Sequence, residues 1–191
     1  MKISIQVRIN YLGTIHCTQA CLANNQNGTL KRIVFVSSQA GQLGVYGYTS
    51  YCSTKFALRG LAESLQMELS RDNIFITLVY PPDTDTPGFT EENKTKPEET
   101  QLINKTSGLL SAEQVATRTI HEMRHGSFTC SFGLNGALLT CLTAGAQPPT
   151  TIVEIISQSL FMGFLRLIMI RVLNSFYQIV KKLKTSPRSS D

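Results

Sequence analysis

Several things are missing from this chain of 191 residues, and each absence closes off a class of protein. There is no CxxC pair. The five cysteines, Cys17, Cys21, Cys52, Cys130 and Cys141, are odd in number and irregularly spaced, which argues against a disulfide framework and for reduced thiols facing a cytosol. Cys17 and Cys21 lie one helical turn apart and are expected to be small core residues rather than ligands. The opening stretch MKISIQVRINYLG lacks a sustained apolar segment and a cleavage site, so no secretory leader is expected. The sequons at Asn27, Asn93 and Asn104 are accordingly expected to go unused. No internal repeat is found. Charged residues are scarce at 16%, yet hydrophobic residues reach 42%, enough for one domain with a sizeable core and too many for a disordered chain.

An uninterrupted membrane-spanning run is also absent. Residues 152–180 are apolar-rich, but Glu154, Arg166 and Arg171 interrupt them and the longest stretch without an acidic or basic residue is 11. A spanning helix needs about 20 apolar residues, and a central arginine costs roughly 2.5–3.5 kcal/mol on insertion scales. The segment is therefore read as membrane-embedded or membrane-contacting, re-entrant in one version, or else as a buried helix facing a partner. Arg166 and Arg171 fit either lipid phosphates or ordinary surface positions. The net charge of +5 is unevenly placed, with Lys181, Lys182, Lys184 and Arg188 near the carboxyl end. That tail reads as a solvated end or as a flank facing anionic lipid. No nucleic-acid partner is expected.

What is present has the rhythm of a parallel α/β sheet. Residues 1–26 carry apolar groups at helical spacing (Ile5, Ile9, Leu12, Ala20, Ala23), closed by Asn27-Gly28. RIVFVSS, residues 32–38, predicts a strand buried on both faces, and Gly41, Gly44 and Gly47 predict a loop after it. From Thr49 to Arg71 the pattern is helical, with Phe56, Leu61, Leu65 and Leu69 near one face. IFITLVY, residues 74–80, predicts a second buried strand ended by Pro81-Pro82. Asp83 to Thr100 reads as a long polar loop, and Ser111-Ala-Glu-Gln114 as a capping box opening a helix that ends near Gly126.

The stretch VSSQAGQLGVYGYTSYCSTK places two hydroxyls at a strand end, then a phenol at Tyr51 and an ammonium at Lys55. Tyrosine, with a pKa of about 10, is a weak acid at neutral pH, and a nearby cation lowers that value. Residues four apart on a helix are stacked, so Lys55 is expected beneath Tyr51. A phenol so placed can protonate the alkoxide formed when a carbonyl is reduced. Strand carboxyl ends are where parallel α/β sheets hold their ligands, which puts Ser37 or Ser38 in reach of a substrate oxygen.

With Asn10 on the preceding helix and the proline turn after the next strand, the sequence resembles the short-chain dehydrogenase/reductase family. That family's pattern is Asn, Ser, Tyr-x-x-x-Lys and a proline-led turn toward a threonine. The resemblance implies an α/β fold, the carboxyl-terminal part of a Rossmann-like doubly wound parallel sheet, followed by a hydrophobic helical carboxyl-terminal segment. It divides the chain into a catalytic part, 1–150, and a membrane-contacting segment with its basic tail, 151–191. It also implies roles for single residues. Tyr51 is the proton donor, and Lys55 lowers its pKa and holds the cofactor ribose. Ser38, 13 positions before Tyr51, is preferred to Ser37 as the substrate-binding serine. Asn10 links the lysine to solvent. Pro81, Thr84 and Thr86 surround the nicotinamide, with Pro82 standing where the family usually has glycine.

The blocks RIVFVSSQAGQLG, KFALRGLAESLQMEL, YPPDTDTPGF and EENKTKPEET narrow the resemblance to a lipid-acting branch of that family. That branch implies NADPH as cofactor, a long-chain keto-lipid as substrate, and the endoplasmic reticulum membrane as location, the catalytic part facing the cytosol. No glycine-rich turn precedes Asn10, so the first strands of the sheet and the pyrophosphate cradle are expected to be missing, and activity of the chain alone to be impaired. Two alternatives stand beside this. One is a non-catalytic membrane-associated fragment that pairs with an intact reductase, or with its own kind, through the helices carrying Asn10 and Tyr51. The other is a short-chain reductase acting on another lipid, a steroid or a retinoid. HEMRH, residues 121–125, also matches the zinc-peptidase spacing HExxH, but Ser131 occupies the position where one such class has a third histidine. No metal site is expected.

Overall fold

The computed structural model describes residues 3–105 and 108–185. Five strands occur among them: β1 (Arg32–Val36), β2 (Phe75–Val79), β3 (Asp83–Asp85), β4 (Leu109–Ser111) and β5 (Thr129–Cys130). β1, β2 and β5 form one parallel sheet in the order β1-β2-β5, with Ile33 opposite Ile76 and Val79 opposite Cys130; β3 and β4 form a second parallel pair. Parallel neighbours require crossovers. Helix α3 (Thr49–Glu68) connects β1 to β2, and α6 (Ala112–His125) leads back to the sheet at β5.

β2, paired on both sides, is buried from Ile76 to Val79, and its side chains divide between two clusters. Ile76, Leu78 and the following Tyr80 pack with Phe35, Ala62, Leu69 and Phe128, while Val79 joins Cys130 and Phe132. Each fully buried side chain of this kind is worth about 1.5–3 kcal/mol. β1 departs from expectation. It has a single neighbour among the described residues, and only Phe35 is fully buried, while Val36 is 55% exposed. The β-branched run predicted a strand covered on both faces; burial follows the number of neighbours, which composition does not report.

The amino-terminal helix is a rod in three parts: α1 (Ile3–Gln6), a π-helical stretch Val7–Leu12, and α2 (Gly13–Ala23). Leu22 packs on the core and Thr18 is buried, so Cys17 and Cys21 fall on the outward side and are exposed, contrary to the core placement expected of them. The chain turns at Gly28, which has φ +61°. Phe56 likewise is exposed, whereas Leu69 is buried and Leu61 and Leu65 pack against the core.

The segment read as one long loop after Pro82 is instead β3, α4 (Pro87–Asn93) and α5 (Glu98–Asn104). Thr86 caps α4, its Oγ1 accepting from the Phe89 amide at 3.1 Å, with Pro87 in the first turn where a missing N–H costs nothing. α6 begins with the expected capping box: Ser111 Oγ accepts from the Gln114 amide at 3.1 Å, and Gln114 Oε1 accepts from the Ser111 amide at 2.9 Å. It ends at Gly126, with φ +73°.

Two helices complete the chain. α7 (Gly133–Thr143) had no counterpart in the sequence reading, having neither a side-chain cap nor a clear apolar stripe. α8 (Ile152–Thr185) is a single helix of 34 residues, about 51 Å long, with no re-entrant break. By length and composition it is long and apolar enough to cross a membrane. Glu154 is a helix start rather than an interruption. Its Oε2 accepts from the amides of Thr150 and Thr151 at 2.7 and 3.2 Å, and Thr151 Oγ1 accepts from the Glu154 amide at 3.1 Å. α8 packs against α7 and α5.

Candidate active site

The carboxyl end of β1 delivers two serines with opposite duties. The Ser37 amide continues the ladder by donating to the Val79 carbonyl at 2.9 Å, which fixes the strand end against β2. Ser37 is buried, and its hydroxyl donates to the carbonyl oxygen of Lys55 at 3.0 Å. Ser38 caps a short 3₁₀ turn, Gln39–Gly41, its Oγ accepting from the Ala40 amide at 3.1 Å. The Ser38 hydroxyl is also a hydrogen-bond partner of the Tyr51 phenol. The turn lies flat on α3 because Gly41 has no side chain: a Cβ there would stand 2.4 Å from Ser37 Oγ and 2.9 Å from the Lys55 carbonyl oxygen.

Tyr51 and Lys55 lie on the first two turns of α3. Lys55 Nζ is 5.5 Å from the centre of the Tyr51 ring and donates to the Val36 carbonyl at 2.9 Å. The electrostatics differ from the expectation of a depressed phenol. Burial pushes the Tyr51 pKa above its ordinary value, the Ser38 hydrogen bond pulls against that, and the nearby charges of Glu92 and Asp83 add to the rise. Burial also lowers the Lys55 pKa. Burial explains this: removed from water, the phenol and the amine each favour their neutral form, although the bond to the Val36 carbonyl by itself favours the ammonium.

Asn10 sits in the π-helical stretch of the amino-terminal rod, a deformation often found at functional sites. Its Nδ2 donates to Gln6 Oε1 at 2.7 Å and to Thr54 Oγ1 at 3.1 Å. Thr54 is buried and donates to the Tyr51 carbonyl at 2.8 Å. Asn10 therefore reaches the tyrosine's backbone through Thr54, and touches neither Tyr51 nor Lys55 by a side-chain bond among the described residues. Across the cleft, the Pro81 carbonyl accepts from the Gln39 amide at 3.1 Å, joining the proline turn to the serine turn. Thr84 Oγ1 donates to the Pro82 carbonyl at 3.1 Å, and the Thr86 hydroxyl serves as the α4 cap.

A cluster missed in the sequence holds the segment over the cleft. Lys96, with a side chain only 2% exposed, contacts Glu92 at 3.1 Å and Asp83 at 3.4 Å and lies 4.5 Å from the Phe89 ring centre. The Tyr48 hydroxyl donates to Glu92 Oε1, and Asn104 Nδ2 donates to Asp83. The run EENKTKPEET reads as solvated charge; only the return of the chain over β3 buries one lysine of it.

These groups line one cavity of about 770 Å³. Ser38, Tyr51, Lys55, Pro81, Thr84 and Thr86 are all on its wall. The part of the wall that comes from α7 and α8 is largely apolar, through Leu138, Leu142, Leu165, Ile168, Val172 and Phe176, with Asn135 and Ser175 as its polar members. Such a cleft suits a ligand with one polar carbonyl and a long apolar body. The HEMRH histidines are elsewhere. Their rings stack at 4.2 Å, and His125 Nδ1 lies 2.7 Å from the His121 carbonyl oxygen, on the exposed side of α6. No group of three or more His, Cys, Asp or Glu positioned for a metal occurs among the described residues.

Comparison with known proteins bears on the family and the fold. The family model for short chain dehydrogenase matches residues 2–97. The 3-dehydrosphinganine reductase of Danio rerio is 51% identical over 176 residues, covering 92% of this chain and 53% of that protein. The 3-ketodihydrosphingosine reductase of Bos taurus is 49% identical over 174 residues, covering 91% and 52%. The chain thus spans about half the length of the relatives it matches. Among solved structures, a short chain dehydrogenase from Burkholderia cenocepacia J2315 in complex with NADP superposes with a TM-score of 0.61 at 15% identity, over 76% of this chain and 56% of that one. At that identity the likeness speaks for the fold.

Proposed function

The chain belongs to the short-chain dehydrogenase family, and we propose that it carries the ketone-binding, proton-donating side of a reductase converting 3-ketosphinganine to sphinganine with NADPH. One observation carries this reading: Ser38, Tyr51 and Lys55 meet in a cleft whose wall from α7 and α8 is largely apolar. The names of the relatives at about half identity support the choice of a keto-lipid over a steroid or retinoid.

The residues present suit the nicotinamide and ribose end of NADPH. An ammonium has three donors and Val36 takes one from Lys55, which leaves others to face ribose hydroxyls. Pro81, Thr84 and Thr86, on the cleft wall, would flank the nicotinamide ring. The bound cofactor supplies the hydride that adds to the carbonyl carbon. Ser38 holds the ketone oxygen by a donated hydrogen bond. Tyr51, kept protonated at neutral pH by burial, gives its proton to that oxygen as negative charge develops on it. Lys55, one turn below, stabilises the phenolate left behind. Asn10 positions α3 through Thr54.

Residues 1–150 serve as the catalytic part and 151–191 as the membrane-contacting part, at the endoplasmic reticulum with the site facing the cytosol. The outward face of α8 supports that placement, since Leu160, Phe164 and Leu167 are each more than 60% exposed. A second reading, pairing with an intact reductase or a second copy, is favoured by the exposed apolar side chains Ile5 and Ile9 on the amino-terminal rod and Phe56 on α3.

Mass spectrometry of sphinganine formed from 3-ketosphinganine and NADPH tests both. Turnover by the chain that disappears in Tyr51→Phe supports the first reading, and undiminished turnover in Tyr51→Phe refutes it. Sphinganine formed only with an added intact reductase, which then co-purifies with the chain, selects the second.

A further inference from the structure

Beyond the reaction centre, α7 and α8 flank a second cavity of about 470 Å³ that is half open to solvent, lined by Gln42, Thr143, Met162, Gly163, Arg166 and Leu173 together with residues it shares with the first. The shared residues are Leu43, Leu139, Leu142 and Met169. Three leucines and a methionine thus face both spaces, which adjoin at them. Methionine is unbranched and adapts its shape more readily than its neighbours, which makes Met169 the movable member of the four. Along α8 the two cavities together run from Met162 to Phe176, about 21 Å at helical rise. That length accommodates an extended long alkyl chain, and the second cavity contributes its far part, from Leu165 to Met162, about 4.5 Å.

The far cavity opens to solvent along α8, where Gly163 is exposed. Gly163 lies on its wall, and a Cβ built there meets nothing within 4 Å. A mid-helix glycine weakens the helix by roughly 0.5–1 kcal/mol relative to alanine, and no close backbone approach explains its place here.

We infer that the second cavity receives the distal end of the substrate's alkyl chain and sets the preferred chain length, with Met169 as the gate and Gly163 at the open rim. The inference rests on the keto-lipid reading above and adds to it the residues that measure the tail. The chain enters past Leu139, Leu142 and Met169, and the ketone stays at Ser38 and Tyr51. A short homologue occupies only the first cavity and is indifferent to the second.

Binding of 3-ketosphinganine and of its short-chain homologue 2-amino-1-hydroxydecan-3-one to the full chain, by calorimetry in one fixed detergent, tests this without requiring turnover. Gly163→Phe narrows the rim, and Met169→Trp blocks the gate. In each variant the long-to-short affinity ratio is expected to fall at least about tenfold against the parent chain, the worth of two or more methylenes left unburied. Two independent variants guard against one failing to fold, which thermal melting reports. An unchanged ratio in a variant that melts like the parent overturns the chain-length inference and leaves the reductase reading standing. A parent chain that binds 3-ketosphinganine no better than octadecylamine overturns both.

Discussion

Ser37 is bonded through its hydroxyl to the backbone carbonyl of Lys55 at 3.0 Å. This bond ties the end of β1 to the first turns of α3, and it leaves the neighbouring Ser38 as the serine that meets the Tyr51 phenol. Two adjacent identical residues thus do different work. Ser37→Ala removes a buried donor and leaves the Lys55 carbonyl short of a partner, with an expected loss of about 1–3 kcal/mol in urea unfolding. Ser38→Ala removes the cap of the 3₁₀ turn, at an expected cost of about 0.5–2 kcal/mol, and is expected in addition to slow ketone reduction about 10²-fold, by analogy with loss of one donor to a developing oxyanion. A larger loss of rate in Ser37→Ala than in Ser38→Ala would show that Ser37 is the substrate serine.

Gly41 permits the same junction. Its φ is unremarkable, so the constraint is space rather than backbone conformation: the added methyl of Gly41→Ala meets Ser37 Oγ and the Lys55 carbonyl inside van der Waals contact. Overpacking of this kind costs about 1–3 kcal/mol. Gly44→Ala, where an added Cβ meets nothing within 4 Å, is the control and is expected to melt like the parent. Equal melting temperatures for the two variants would show that the turn moves aside freely.

Tyr80 is fully buried, and its phenol accepts from Gln147 Nε2 at 2.7 Å. Burial raises its pKa from 10.0 to about 12. The folded chain therefore holds the Tyr80 proton more tightly than the unfolded chain does. The corresponding stability is fully present below pH 10, the unfolded value, and is lost as pH rises from there through the folded value near 12. The loss is on the order of 2–3 kcal/mol. Urea midpoints measured across that window are expected to fall, and to fall less steeply in Tyr80→Phe. Identical slopes in the two proteins would remove Tyr80 from the account.

The thiols divide by exposure. Cys17 and Cys21 are exposed, whereas Cys52 and Cys130 are buried, and burial pushes the Cys130 thiol up to about 11. Only a thiolate reacts quickly with a maleimide. Brief labelling at neutral pH followed by peptide mapping is expected to mark Cys17 and Cys21 and to spare Cys130 until denaturant is added. Early labelling of Cys130 would contradict the packing of β5 against Phe132 and Val79.

Sequence and structure agree most where the signal is local. The capping box at Ser111 and Gln114, the left-handed glycine at Gly126, the strands beginning near Arg32 and Phe75, and the i, i+4 stacking of Tyr51 over Lys55 depend on neighbours within a few residues. Composition carries that information because caps, turns and helix faces are made by the residues that flank them. The likeness to short-chain reductases is written at the same short range, in the spacing of Ser38, Tyr51 and Lys55.

What the chain does at long range was decided by the fold. Lys96 became buried because α4 and α5 return it beneath Tyr48 and Phe89, and the Tyr51 phenol rose in pKa because the fold buried it, with Glu92 and Asp83 nearby. Leu165 and Met169 became cleft residues because α8 lies against α7, in a helix equally apolar on its outward side. Burial and electrostatic environment are properties of which distant segments meet. The sequence by itself determined which groups could do acid–base chemistry on a ketone, and the tertiary structure decided what surrounds them and therefore which form each one takes.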